Sequence, residues 1–268
     1  MAKLPEITKF DPELTEKVMG ILRPLLKVYH RSEVRGLENI PLGGALVVSN
    51  HSGGMLPMDV PVFTSHFYDK FGYDRPVYTL SHAMLMVGPT ADFFKKTGYI
   101  LASHENADEA LRSGGLVVVF PGGDYDVYRP STDANKIDFD GRKGYVKAAI
   151  NAGVPIVPMV GIGGQETQIF LTRGEKIAKA LGPIARAARA KVVPLSIGLP
   201  FGLSAVLPFN VPLPSKIVMQ VLPPIDPTAI AFESGDEPDI DAVDARVRKV
   251  MQDALDELAE ERRFPVLG

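Results

Sequence analysis

The sequence predicts an α/β fold with a largely parallel central sheet flanked by helices. Three observations carry this. Short apolar, β-branched runs at residues 44–48, 115–120 and 154–160 read as strands buried on both faces. Segments of helical periodicity lie between them, and such alternation builds parallel sheets through βαβ crossovers. The 268 residues suit one such domain, or one domain with a helical appendage.

Taken in order, residues 12–29 form an amphipathic helix. Asp11 supplies an N-cap, Pro12 a first-turn proline, and Val18, Ile21, Leu22, Leu25 and Leu26 recur at helical spacing. This gives an N-terminal helical segment, 1–31, ahead of an α/β domain over 32–268. A short strand is expected at 33–35. The strand at 44–48 runs directly into Ser49-Asn50-His51. A helix follows over 57–68, then strands at 76–80 and 99–101, a helix at 106–112 and the strand at 115–120. That strand ends in Pro121-Gly122-Gly123-Asp124. A helix at 144–152, a strand at 154–160, an alanine-rich basic helix at 177–190, a strand at 216–222 and a charged helix at 240–262 complete the series. Residues 232–239 read as an exposed loop.

Composition excludes several classes. A net charge of −3 gives no general nucleic-acid footprint. The absence of cysteine rules out disulfides, thiolate metal sites and a cysteine nucleophile, and fits a reducing compartment. No HExxH appears, so no metal is expected, and no GxSxG, which disfavours a serine hydrolase. Residues 1–10 lack the apolar core of a secretory signal. No run approaches the ~18 apolar residues of a spanning helix, so any membrane contact is expected to be peripheral and monotopic.

The sharpest feature is the stretch from Asn50 to Asp59: a strand delivers His51 at its end, Gly53 and Gly54 turn the chain, and Asp59 opens a helix. Strand ends collect catalytic groups in α/β sheets. A histidine near neutral pH takes a proton from an alcohol, and a carboxylate fixes its tautomer. The same residues also fit a histidine satisfied in a turn, with Asp59 capping the helix. At the second strand end, the glycines of Phe120-Pro121-Gly122-Gly123 let backbone N–H groups approach an anion or a developing oxyanion.

With these residues in place, the chain resembles the glycerolipid acyltransferase superfamily, which includes the 1-acylglycerol-3-phosphate acyltransferases. Four blocks match in order: His51 with Asp59; Gly98-Tyr99-Ile100 followed by Ala102-Ser103; Phe120-Pro121-Gly122-Gly123; and Val154-Pro155-Ile156-Val157-Pro158. Coverage runs from about residue 44 to 160. Three departures stand out. Seven residues separate His51 from Asp59, where the family has four. Ser103-His104-Glu105 stands where an arginine is usual. Gly122 replaces the glutamate of Pro-Glu-Gly, which makes the turn similar to that of the neutral-lipid diacylglycerol acyltransferase relatives.

The resemblance implies a glycerol-3-phosphate acyltransferase-like fold and direct acyl transfer, with His51 as base and Asp59 orienting it. Backbone N–H groups of Ser52, Gly53 and Gly54, or of Gly122 and Gly123, are the oxyanion candidates. Pro121, Gly122, Gly123, Arg129 and Lys143 are expected to face the acceptor, and Arg129, Lys143 and Arg142 are the motif-linked cations for a phosphate. Acyl-CoA or an acyl carrier protein is the expected co-substrate, with no permanently bound cofactor. The acceptor expected first is 1-acylglycerol-3-phosphate. A mono- or diacylglycerol, or an acyl-CoA- or lipid-binding protein without turnover, are the alternatives. The expected location is cytoplasmic, on the inner face of a membrane. Docking would use the helix at 12–29 or the basic stretch 173–191 running into 195–203.

Overall fold

The computed structural model describes residues 6–54, 56–182, 192–205, 210–233 and 235–268. Strands β1 (Glu33–Arg35), β2 (Ala45–Ser49), β3 (Val77–Ser81), β4 (Tyr99–Leu101), β5 (Leu116–Val119) and β6 (Ile156–Ile162) enter one sheet. β7 (Ile169–Thr172), β8 (Leu195–Gly198) and β9 (Gly202–Ala205) form a second, three-stranded sheet, and β10 (Val218–Val221) returns to the first. The main sheet has seven strands in the order β1-β10-β6-β2-β5-β3-β4. β6, β2, β5, β3 and β4 run parallel. β10 is antiparallel to β6, and β1 pairs parallel with β10.

Strand alternation divides the core between two faces. Ala45 and Val47 join Val118 and Met159 on one side; Leu46 and Val48 join Val117 and Val160 on the other. Helices α1 (Pro12–Pro24) and α2 (Asp59–Phe71) cover the first face through Met19, Val62, Phe63 and Phe67. Each fully buried phenylalanine there stabilises the fold by about 1.5–3 kcal/mol over an exposed one. α3 (Ala91–Lys96) precedes β4. α4 (His104–Arg112), the short α5 (Gly123–Val127) and α6 (Gly144–Ala152) follow, then α7 (Glu175–Leu181), α8 (Pro227–Ala231) and α9 (Ile240–Glu261). Leu111 of α4, Val146 of α6 and Val247, Met251 and Leu255 of α9 seal the second face.

The N-terminal helix begins as its sequence requires, with the Asp11 carboxylate accepting from the Leu14 N–H at 3.0 Å. It is shorter than its periodicity suggests. Pro24, which has no N–H and crowds the preceding turn, closes it, and Leu25–Tyr29 continue as a π turn. The basic helix expected over 177–190 is seen as Glu175–Leu181, and its remainder from 183 lies outside the described residues. The β7–β9 sheet has no counterpart in the sequence reading.

Candidate active site

The parallel strands end together. Val48 pairs with Val119 and with Pro158, so the segments that leave β2 and β5 emerge side by side at the carboxyl end of the sheet. Asn50 fixes the exit of β2. Its side chain donates to the Gly161 carbonyl at 2.9 Å and accepts from the Gly161 N–H at 2.8 Å, tying β2 to β6.

His51 follows. Its Nδ1 lies 2.7 Å from Asp59 Oδ2. A carboxylate only accepts, so Nδ1 carries the proton and Nε2 is left to act as a base. The extra residues between them are absorbed by Gly53 and Gly54, which take φ of +88° and +68°. These values suit glycine and strain other residues. Asp59 is 1% exposed and sits in the first turn of α2, at the positive end of the helix dipole. It also accepts the Ser52 N–H at 2.8 Å and the Ser52 hydroxyl at 2.9 Å. Three donors thus hold the carboxylate that holds the imidazole. The ring stacks on Phe120, centroids 4.1 Å apart, with its side chain still 17% exposed.

Beneath His51 lies a second acid absent from the sequence-derived set. Asp126 accepts the His51 backbone N–H at 2.5 Å and pairs with Arg129 Nη1 at 2.5 Å. Burial pushes the Asp126 carboxyl up to about 6, while the Arg129 guanidinium and the His51 N–H draw it back down. The only sequence signal for Asp126 is its position one turn past the Pro-Gly-Gly step. Gly164 also borders the site. A Cβ there would overlap the Ser52 hydroxyl and come within 3.0 Å of Asp59 Oδ1.

Several expected roles change. Arg129 is 1% exposed; Nη1 also donates to the Lys136 carbonyl at 2.5 Å, so the residue braces the histidine loop from within the core. It does not stand where an acceptor phosphate could reach it. The Lys143 ammonium is engaged by Asp241 at 2.7 Å. Arg142 donates to the Gly122 carbonyl and to Asp124, both at 2.9 Å, and so clamps the glycine turn. Pro121 and Gly122 are buried, and a Cβ on Gly122 would overlap Asp126; this part of the turn supports the site rather than lining it. Gly123 is half-buried, beside Arg142. Among the oxyanion candidates, the Ser52 N–H is committed to Asp59 and the Gly123 N–H to the Phe120 carbonyl at 3.0 Å. With Gly122 packed beneath the site, Gly53 and Gly54 remain.

A cavity of about 200 Å³ opens between the second face of the sheet and helices α4 and α6, lined by Leu46, Leu80, Ala107, Val119 and Ala148. Val119 directly precedes the Phe120 that stacks on His51. Among the described residues, no cluster of three or more His, Asp or Glu side chains could hold a metal ion. No described helix is long and apolar enough to cross a membrane.

Known proteins resemble this chain to different extents. The family described as Acyltransferase matches residues 31–161. An uncharacterized protein of Mycobacterium leprae is 32% identical over 267 residues, which covers 97% of this chain and 69% of that protein. A Mus musculus protein named DGAT1/2-independent enzyme synthesizing storage lipids is 32% identical over 132 residues, 49% of this chain and 39% of its own. Among solved structures, the 1-acyl-sn-glycerophosphate (LPA) acyltransferase PlsC of Thermotoga maritima superposes with a TM-score of 0.53 at 18% identity. The superposition covers 92% of this chain and 84% of that one. At that identity the likeness is one of fold.

Proposed function

The chain belongs to the glycerolipid acyltransferase superfamily, and on that premise we propose that it moves a fatty acyl group from a thioester to the hydroxyl of a neutral glyceride. The observation that carries the chemistry is the His51–Asp59 pair at 2.7 Å, with the other ring nitrogen directed away from the carboxylate.

In this mechanism Nε2 of His51 takes the proton of the acceptor hydroxyl as its oxygen attacks the thioester carbonyl. Asp59 keeps the ring in the required tautomer and balances the imidazolium that forms. The tetrahedral oxyanion accepts from the backbone N–H groups of Gly53 or Gly54. Collapse expels the thiolate, which recovers the proton from His51. No covalent acyl-enzyme is required. The donor is acyl-CoA or an acyl carrier protein, and the first carbons of its chain enter the cavity behind Val119.

A neutral acceptor is favoured by how the motif-linked cations are used. Arg129 is buried against Asp126, Lys143 is paired with Asp241, and Arg142 holds the glycine turn. The relative named for storage-lipid synthesis agrees with this choice. The second reading, acylation of 1-acylglycerol-3-phosphate, takes its support from the fold shared with the Thermotoga enzyme. Thiol release from palmitoyl-CoA, measured with monoacylglycerol, with lysophosphatidate and with no acceptor, separates them. The proposal expects release with monoacylglycerol. Release confined to lysophosphatidate moves the chain to the phospholipid branch, and acceptor-independent release makes it a thioesterase.

A further inference from the structure

The small sheet β7–β9 has its polarity reversed. Its inner cross-strand row, Phe170–Ser196–Ser204, is buried. Its outer row, Ile169–Ile197–Leu203, is 40–65% exposed. Leu199 and Phe201 extend the outer surface at the β8–β9 turn, at 67% and 55%. A sheet covered on one side by protein and on the other by water shows the opposite alternation, and contiguous apolar patches on a surface mark interaction sites. The patch also continues beyond the sheet. Val211 bridges Leu199, and the Tyr29 hydroxyl donates to the Pro212 carbonyl at 2.9 Å. Tyr29 belongs to the π turn after α1, where Val28 is exposed.

Charge identifies the occupant. From Gln168 to Ile225 the sequence holds one acid, Glu175, against seven cations: Arg173, Lys176, Lys179, Arg186, Arg189, Lys191 and Lys216. Lys176 and Lys179 are exposed on α7, which follows β7 directly. An exposed apolar sheet face followed in the chain by a lysine-bearing helix suits a bilayer carrying anionic headgroups. A second copy would bring the same positive charges face to face, which disfavours self-association.

The sheet is also joined to the site. A Cβ on Gly54 would lie 2.7 Å from the Phe170 ring, and Gln168 of the same strand segment donates to Ser196 at 3.0 Å. The inner face therefore packs on the histidine loop, while the outer face is bare. We propose that the outer face of β7–β9 docks on an anionic lipid bilayer and sets the His51 site at the interface where a lipid acceptor arrives. This rests on the acyl-transfer reading only for its purpose, since docking is measured without turnover.

The test is flotation of the full chain with vesicles of equimolar phosphatidylcholine and phosphatidylglycerol. The wild type should float, and bind phosphatidylcholine vesicles far more weakly. Leu199→Asp/Leu203→Asp should lower affinity at least about tenfold through lost apolar burial. Lys176→Glu/Lys179→Glu should do the same through lost headgroup attraction. Leu42→Asp, at a 97% exposed residue preceding β2, should bind as the wild type does. Circular dichroism melts establish that each variant is folded. A wild type that stays in the pellet, or folded Asp variants that float unchanged, overturns the proposal. So does light scattering showing a dimer that the Asp variants dissolve, which would assign the face to a second copy. Thiol release with vesicle-borne and with water-soluble short-chain monoacylglycerol keeps the two readings apart. The Asp variants should lose turnover only on the vesicle-borne acceptor. A wild type that floats yet turns over neither acceptor leaves docking intact and removes acyl transfer.

Discussion

At the scale of residues, the chemistry depends on His51 and the carboxylate that orients it. Asp59 is held by the Ser52 N–H, the Ser52 hydroxyl and the imidazole together. Asp59→Asn should therefore misplace the Nδ1 proton and lower kcat by at least about 10²-fold, with the fold retained. Steady-state kinetics beside a thermal melt would check this; a variant within a fewfold of wild type contradicts it. Gly164 sets a steric condition on the same cluster. Gly164→Ala should push against Ser52 and Asp59, destabilise the protein by about 1–3 kcal/mol and lower turnover. Urea unfolding measures the first effect, and an unshifted midpoint would show that the loop yields freely. The pairing of His51 with Asp59 was legible from residue types and order. The role of Arg129 was not, because a sequence shows a cation near a motif but not that Asp126 has buried it.

At the scale of elements, local signals were read well where they were local. The Asp11 cap, the apolar runs of β2, β5 and β6 and the glycine turns each act within a few residues. The β7–β9 sheet escaped because β7 meets β8 across more than twenty residues and its serines, not its leucines, face inward. Hydrophobic patterning assumes the reverse. The junction after α1 offers a pH test. His30 is buried, and its Nδ1 donates to the Ser215 carbonyl at 3.2 Å. Burial lowers its pKa below the usual 6.5. The folded state thus favours neutral His30, and the unfolded state binds the extra proton first. Stability from this residue is complete above pH 6.5 and is lost as pH falls below it. The lowered pKa of His66 acts in the same direction. Replacing His30 by Gln should flatten part of the decline between pH 7.5 and 5.5 in urea unfolding. An unchanged slope would remove His30 as a contributor.

At the scale of the whole molecule, the topology explains why the chemistry gathers where it does. Parallel strands deliver His51 and Phe120 to one end of the sheet, and the cavity lies on its second face under α4 and α6. The fold class followed from the alternation of strands and helices. The reversed β10 and β1 did not, since strand direction depends on where the chain returns after β9. The cavity yields a specificity prediction. Filling it with Ala148→Phe should depress turnover of long-chain acyl donors more than that of short-chain donors. A uniform change across chain lengths would place the acyl chain elsewhere. If His51 is the base of an acyl transfer to a lipid hydroxyl, acceptor-dependent thiol release from palmitoyl-CoA must differ between the wild type and a folded His51→Ala variant. Release should require the glyceride and fall by about 10²–10⁴-fold in the variant. Near-wild-type release from His51→Ala would contradict it.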